Sequence, residues 1–316
     1  MRSVEDSRQF LAAHEIVRIQ RKGPADSGHT RIRENFAMND EKKPFEHVLD
    51  ITSLQNPRIK QLNKFRKRSV READQVVLIE GYRELTRALE QGWPLTEVYF
   101  CEALFLGDND MEVLRAAESE GAQLLRCSET VFRKIAYRDR PDGLLAVAPQ
   151  HHMTLDDLPE MDNPFLLLMV GIEKPGNLGT MLRSADGAGV DAVIICDPVT
   201  DIYNPNTVRA SVGTLFSVPV AESSYEECTA WLKEQGIPML AATPHAERSL
   251  YETDLSGPVA LAVGSEMHGL DERWMKAADL RVSLPMCGIA DSLNVSTAAA
   301  LVLYETLRQR VFGGEK

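Results

Sequence analysis

Hydrophobic positions fall along this chain in two alternating kinds of run. Short continuous apolar runs have the length of buried strands, and between them apolar residues recur every three or four positions, as on one face of a helix. From about Ile51, "ITSLQNPRIKQLNKFRKRS" reads as largely helical. It is followed by the strand "QVVLIEG", the amphipathic helix "GYRELTRALEQG" closed by Gly92, and the strand "LTEVYFCE". The helix "DMEVLRAAESEG", the strand "AQLLRCS", the short helix "SETVFRKIAY" and the strand "GLLAVAPQ" complete this region. The alternation predicts a small α/β domain over residues 47–150. "HHMTLDDLPEMDNP" is polar with two prolines and reads as a linker over 151–163. A second α/β unit spans 164–316, with apparent strands "FLLLMV", "AVIICD", "PMLAAT", "VALAVG" and "LRVSLP". Such uninterrupted apolar runs fit a parallel sheet covered on both faces. Residues 1–46 show no sustained apolar period and read as a mobile extension.

Three strands of the second unit end in loops richer in polar and small residues than packing requires: "GIEKPGNLG", "GSEMHGL" and "MCGIADSLNVS". Strand-to-helix loops are where α/β proteins hold ligands. "GAGVDA", at 187–192, has the spacing of a dinucleotide fingerprint, but its glycines close a helix and lead into a strand, the reverse of the required context. Ser265, with Glu266 and His268 beside it, raises a serine hydrolase, yet "AVGSEMHGL" lacks the G-x-S-x-G elbow. No phosphate loop of the G-x-x-x-x-G-K-[ST] type and no H-E-x-x-H zinc helix is present, and no metal is expected.

Composition narrows the class. The chain has 316 residues, 44% hydrophobic and 26% charged, as in ordinary globular proteins, and its apolar runs fall short of the ~18 residues of a membrane span. The five cysteines are scattered and never spaced as CxxC, which fits reduced thiols and a cytoplasmic protein. A net charge of −12 argues against indiscriminate nucleic-acid binding. Against that background "PRIKQLNKFRKRSVR", at 57–71, contains no acid. Its Arg58, Lys60, Lys64, Arg66, Lys67, Arg68 and Arg71 form either a solvated helix face or a phosphate-binding patch.

Taken in order, "NLGTMLRSADGAG", "GSEMHGL" and "LPMCGIADSLNVSTAAALVLYE" resemble the three signature motifs of the SpoU (TrmH) family of RNA ribose 2′-O-methyltransferases, of the SPOUT superfamily. The region from "ITSLQNPRIKQL" to "LIEGYRELTRAL" more loosely resembles the ribosomal-protein-like substrate-binding domain that often precedes such a catalytic domain. The resemblance implies a C-terminal parallel-sheet domain with a deep trefoil knot, a homodimer, and S-adenosylmethionine as methyl donor. It implies catalytic parts for Asn177, Arg183, Glu266 and Asn294. Thr243, Gly264, Leu284, Met286, Ser292 and Leu293 would hold the cofactor. A guanidinium is a poor proton acceptor, so Arg183 is expected to clamp phosphate and stabilise a developing 2′-alkoxide. Glu266 could orient its loop, hold Arg183 or Asn177, or simply sit at a helix start. Ser292 and Asn294 could each be an ordinary N-cap of the helix bearing Val295, Ala298, Ala299, Val302 and Leu303. The expected substrate is ribosomal RNA, bound in part by the basic stretch. A tRNA methyltransferase and a non-catalytic RNA-binding protein of the same fold are the alternatives.

Overall fold

The computed structural model describes residue 45 and residues 47–313. The expected extension at 1–46 lies outside the described residues except for Phe45, whose ring packs against Phe100 with centroids 6.1 Å apart.

The first domain is built on a five-stranded sheet of β1 (Val48–Ile51), β2 (Val76–Glu80), β3 (Glu97–Phe100), β4 (Gln123–Cys127) and β5 (Leu144–Pro149), in the order β1-β4-β3-β5-β2. β4 runs parallel to β1 and β3, whereas β5 is antiparallel to both of its neighbours. α1 (Pro57–Lys64), α2 (Arg68–Asp74), α3 (Tyr82–Glu90), α4 (Asp110–Ser119) and α5 (Glu129–Ile135) surround it. Two features differ from the expectation. β1 was not anticipated, because this four-residue edge strand buries only Ile51 fully and carries no apolar run. The helix expected across 51–69 is two helices. Pro57 sits at the first helical position of α1, where its missing N–H costs nothing, and the chain breaks at 65–67 before α2. The guanidinium of Arg71 fills the break, donating to the carbonyls of Phe65 at 2.6 Å and Arg66 at 3.0 Å.

The second domain carries β6 (Phe165–Val170), β7 (Ala192–Cys196), β8 (Val220–Ser223), β9 (Met239–Ala242), β10 (Val259–Val263) and β11 (Leu280–Val282) in one wholly parallel sheet, ordered β11-β9-β10-β6-β7-β8. Alternate residues along the strands feed the two faces. Leu167, Met169, Val193, Ile195, Leu261 and Val263 pack under α6 (Pro175–Ala188) and α10 (Val295–Phe312). Leu166, Leu168, Ile194, Ala260 and Ala262 pack against Cys228 and Leu232 of α8 (Tyr225–Glu234) and Trp274 of α9 (Glu272–Ala277). A parallel sheet covered on both faces is what the continuous apolar runs imply. β8 was missed because its four residues include Glu222 and follow Pro219. It lies at the sheet edge, where Met153 of the stretch 151–163 bridges to Ala221.

The domains are tied by specific contacts. Arg71 forms an ion pair with Asp201, their side chains only 1% and 8% exposed. Arg87 donates to the carbonyl of Val212, and Trp93 meets Phe216 edge-on with centroids 5.1 Å apart. α7 (Pro205–Ser211) packs between β2 of the first domain and α6 of the second.

Candidate functional site

Because all strands of the second sheet are parallel, the loops after β6, β9, β10 and β11 leave the same edge, from four adjacent strands. The chain passes from β6 outward to β7 and β8, then returns on the other side through β9 and β10. β6 and β10 therefore flank a topological switch point, the usual ligand crevice of such a sheet. α6, after β6, covers one face, and α9, after β10, covers the other.

Glu266, on the loop after β10, reaches across this crevice. Its carboxylate accepts the backbone N–H groups of Glu173 at 3.0 Å and Lys174 at 3.2 Å, and the side-chain amide of Asn177 at 2.7 Å. The start of α6 has no cap from its own Lys174 and no acid in its first turn, so an acid from another loop does both jobs. Burial pushes the Glu266 carboxyl up. The hydrogen bonds from Glu173, Asn177 and Lys174 outweigh it and hold the group below the usual carboxylate range. Asn177, in the first turn of α6, accepts in turn from the Asn294 amide at 3.3 Å. Asn294 is the N-cap of α10, its Oδ1 accepting from the Ser296 N–H at 3.0 Å and hydroxyl at 2.6 Å. Glu266, Asn177 and Asn294 thus form one chain of hydrogen bonds joining three loops, and each amide is oriented by its partners.

Arg183 stands apart. Six residues beyond Asn177 on α6, it lies about 240° around the axis and ~9 Å along it. It is exposed and has no hydrogen-bond or ion-pair partner among the described residues, so Glu266 holds Asn177 and not Arg183.

The expected cofactor residues line the same edge. Thr243 follows β9 and donates its N–H to the carbonyl of Val282. At Gly264 a Cβ would stand 2.0 Å from the Gly269 carbonyl carbon and 2.2 Å from the Leu270 nitrogen. The loop folds back on itself there through paired Ser265–Gly269 backbone bonds, with Gly269 at φ +66°. The close approach expected at Gly264 is therefore made by the loop's own backbone. Ser265 receives the His268 backbone N–H and has no imidazole partner among the described residues. Leu284 and Met286 are half-buried, and Ser292 and Leu293 are exposed. Between 284 and 293 no backbone group takes part in a hydrogen bond among the described residues. Met267, Ile289 and Leu293 stand out from the two loops as exposed apolar side chains. Free amide edges beside bare apolar side chains suit a flat heterocycle such as adenine, so these residues fit S-adenosylmethionine.

The basic stretch is partly committed to structure. Arg58 pairs with Glu97, Arg68 with Glu72 at 2.6 Å, and Arg66 donates to the carbonyls of Lys134, Ile135 and Ala136 at the end of α5. Lys60, Lys64 and Lys67 are exposed, with no side-chain partner among the described residues. The residues that sequence reasoning missed serve as supports. Thr200 donates to the carbonyls of Ile172 and Glu173, both at 2.7 Å, and Ser296 steadies Asn294. Nothing in their local pattern marks them. No group of three or more His, Cys, Asp or Glu placed to hold a metal occurs among the described residues.

Comparison with known proteins agrees with this layout. Residues 164–304 match the model of the SpoU rRNA Methylase family, and residues 56–146 that of the MRM3-like substrate binding domain. The 23S rRNA (uridine(2479)-2'-O)-methyltransferase of Streptomyces viridochromogenes is 31% identical over 242 residues, covering 75% of this chain and 84% of the relative. The 23S rRNA (guanosine(2553)-2'-O)-methyltransferase RlmP of Bacillus subtilis is 30% identical over 254 residues, covering 80% and 97%. Among solved structures, an AdoMet-bound rRNA methyltransferase from Sinorhizobium meliloti superimposes with a TM-score of 0.76 at 28% identity, covering 83% of this chain and 98% of that one. An RNA 2'-O ribose methyltransferase gives a TM-score of 0.75 at 43% identity, covering 84% and 100%.

Proposed function

Since the chain belongs to the SpoU rRNA methylase family, we propose that its Glu266–Asn177–Asn294 network positions a ribose 2′-hydroxyl of ribosomal RNA for methylation. The protein is an S-adenosylmethionine-dependent RNA 2′-O-methyltransferase. The observation that carries the reading of the site is this network, because it brings all three motif loops to one crevice.

S-adenosylmethionine supplies a methyl group already activated by its sulfonium. The loop at 284–293 and the folded loop at 264–269 hold it, with Thr243 beside them. The remaining work is orientation of the acceptor oxygen, control of its charge and release of its proton, which passes to solvent water as the new O–C bond forms. Asn177 has one amide hydrogen outside its bond to Glu266, available to the ribose. Because Glu266 is a carboxylate held low in pKa, it is a weak base and acts by fixing Asn177. Arg183 meets the backbone phosphate of the target nucleotide and offsets negative charge developing on the oxygen. Lys60, Lys64 and Lys67 contact RNA further out on the first domain.

The active form is a cytoplasmic homodimer. Leu301, Tyr304 and Phe312, exposed along α10, supply apolar surface for a partner copy. Incubation with methyl-labelled S-adenosylmethionine and a 23S rRNA transcript tests the activity directly. Label should appear in 2′-O-methylnucleosides, and label confined to a base would refute it.

A further inference from the structure

A small cleft lies between the domains, lined by none of the residues of the three motif loops. Its floor is apolar, formed by Leu78 and Ile135 of the first domain and Val208 of α7. Its walls carry Arg66, Tyr137, Arg138 and Glu80 from the first domain and Arg209 from the second. Arg138 is neutralised, donating to Glu84 at 2.6 Å and lying 3.6 Å from Asp142. Glu80 is turned inward, accepting the backbone N–H groups of Tyr137 at 2.7 Å and Arg138 at 3.2 Å. Two guanidiniums keep their charge uncompensated. Arg66 binds only carbonyls, and Arg209 is exposed with no side-chain partner among the described residues. One comes from each domain. On the same lining Tyr137 is 41% exposed, its backbone fixed by Glu80.

In a chain of net charge −12, two such cations sharing a lining with an exposed ring and an apolar floor have the chemistry to hold an anion and stack a base. α7 links the cleft to α6, the helix that follows the first motif loop. α7, which carries Arg209, packs so tightly on α6 that a Cβ at Gly179 would stand 2.4 Å from the Thr207 carbonyl oxygen. Arg183 lies one turn beyond Gly179 on the same side of α6.

We propose that this cleft binds a single-stranded segment of the substrate RNA flanking the target nucleotide, with a base stacked on Tyr137 and phosphates against Arg66 and Arg209. The proposal rests on the reading of the protein as an RNA methyltransferase and adds a contact that both domains build together. Single-stranded RNA fits because its bases are free to stack, while a duplex would present only phosphates.

The experiment uses the full chain, a 23S rRNA transcript and oligouridylate. Tyr137→Ala should weaken oligouridylate binding and raise the transcript KM about tenfold, equal to about 1.4 kcal/mol, and Tyr137→Phe should restore both. Arg209→Gln should lower the slope of log affinity against log salt by about 0.7, the loss of one phosphate contact. Affinity for S-adenosylmethionine and kcat at saturating RNA should stay within about twofold of wild type, as for a surface change. Tyr137→Ala binding RNA as wild type does, Tyr137→Phe failing to restore binding, or a loss confined to kcat or cofactor affinity would each overturn the proposal. Wild-type protein that binds oligouridylate through this cleft but methylates no transcript would instead refute the functional reading.

Discussion

Replacing Glu266 by glutamine exchanges one carboxylate oxygen for an amide NH₂ and removes one charge, with almost no change in volume. The native carboxylate faces three donors: Glu173 N–H, Lys174 N–H and the Asn177 amide. A glutamine offers one acceptor oxygen to them. In one orientation its NH₂ faces the Glu173 N–H, and in the other it faces the Asn177 amide and Lys174 N–H, so neither satisfies the site. Hydrogen bonds to charged groups contribute about 1.5–3 kcal/mol each, and the substitution removes at least one while weakening the rest. A deficit of about 2.7 kcal/mol in the placement of Asn177 corresponds to about a hundredfold in rate. Glu266→Gln should therefore lower kcat for methyl transfer to a 23S rRNA transcript by about that factor, in single-turnover reactions at saturating RNA and cofactor. The transcript KM should change little, because Glu266 points at protein groups. A kcat within about twofold of wild type would mean that Asn177 does not depend on Glu266 for its place, and the network would lose its meaning.

The charged state of the same carboxylate sets a pH window. Because its folded pKa lies below the unfolded value of about 4.3, its stabilisation is complete above that pH and is lost as pH falls through the lower folded value. Hydrogen-exchange protection of the Glu173 and Lys174 amides should hold constant from about pH 7 to 5 and fall only below ~4. Asn294→Asp keeps the α10 cap but sets a carboxylate against the Asn177 oxygen, so activity should drop with thermal stability kept. Asn294→Ala should also remove about 1 kcal/mol of cap energy, read by denaturant unfolding. Arg183→Ala should abolish methylation while cofactor affinity by calorimetry stays unchanged, and a large loss of cofactor binding would show that Arg183 is part of the cofactor pocket. Gly264→Ala places a carbon 2.0 Å from backbone, which cannot be relieved by a rotamer change, so it should open the 265–269 turn to proteolysis and abolish cofactor binding.

Much of this architecture was written locally in the sequence. Of the five strands expected in the second sheet, β6, β7, β9 and β10 are apolar runs covered on both faces. β11 is a three-residue edge strand marked by Leu280 and Val282 on either side of exposed Arg281. β1 and β8 escaped notice for the converse reason. Both are four-residue edge strands with polar or charged residues, and β1 is held by pairing to β4, far along the chain. The break between α1 and α2 was hidden for a similar reason. Basic residues run unbroken through 57–71, and only a buried Arg71 turned back on the Phe65 and Arg66 carbonyls makes that interruption stable.

The site divides along the same line between local and distant information. That Asn294 caps α10 was foreseeable from its type and position, although Ser292 was an equal candidate until the Ser296 N–H chose between them. That Glu266 holds Asn177 was one option among several. That it also caps the backbone of Glu173 and Lys174, 93 and 92 residues away, was not foreseeable, because no spacing rule links residues that meet only through sheet order. A charge run likewise tells how many cations a segment has but not how many are free. Arg58, Arg66, Arg68 and Arg71 are tied to Glu97, the α5 carbonyls, Glu72 and Asp201, while the three lysines of the same run are not. The arginine fork, able to bond several acceptors at once, is drawn into structural positions, and the compact lysine ammonium is left to solvent. For RNA binding this reverses the first impression of the stretch. Its dense arginine centre mainly fastens the first domain to itself and, through Asp201, to the loop that Thr200 links to the start of α6. Removing either partner of the Arg71–Asp201 pair strands a buried charge at a cost of about 3–5 kcal/mol. The pair therefore joins the break between α1 and α2 in the first domain to the second-domain loop that Thr200 links to the start of α6, and with it to Asn177.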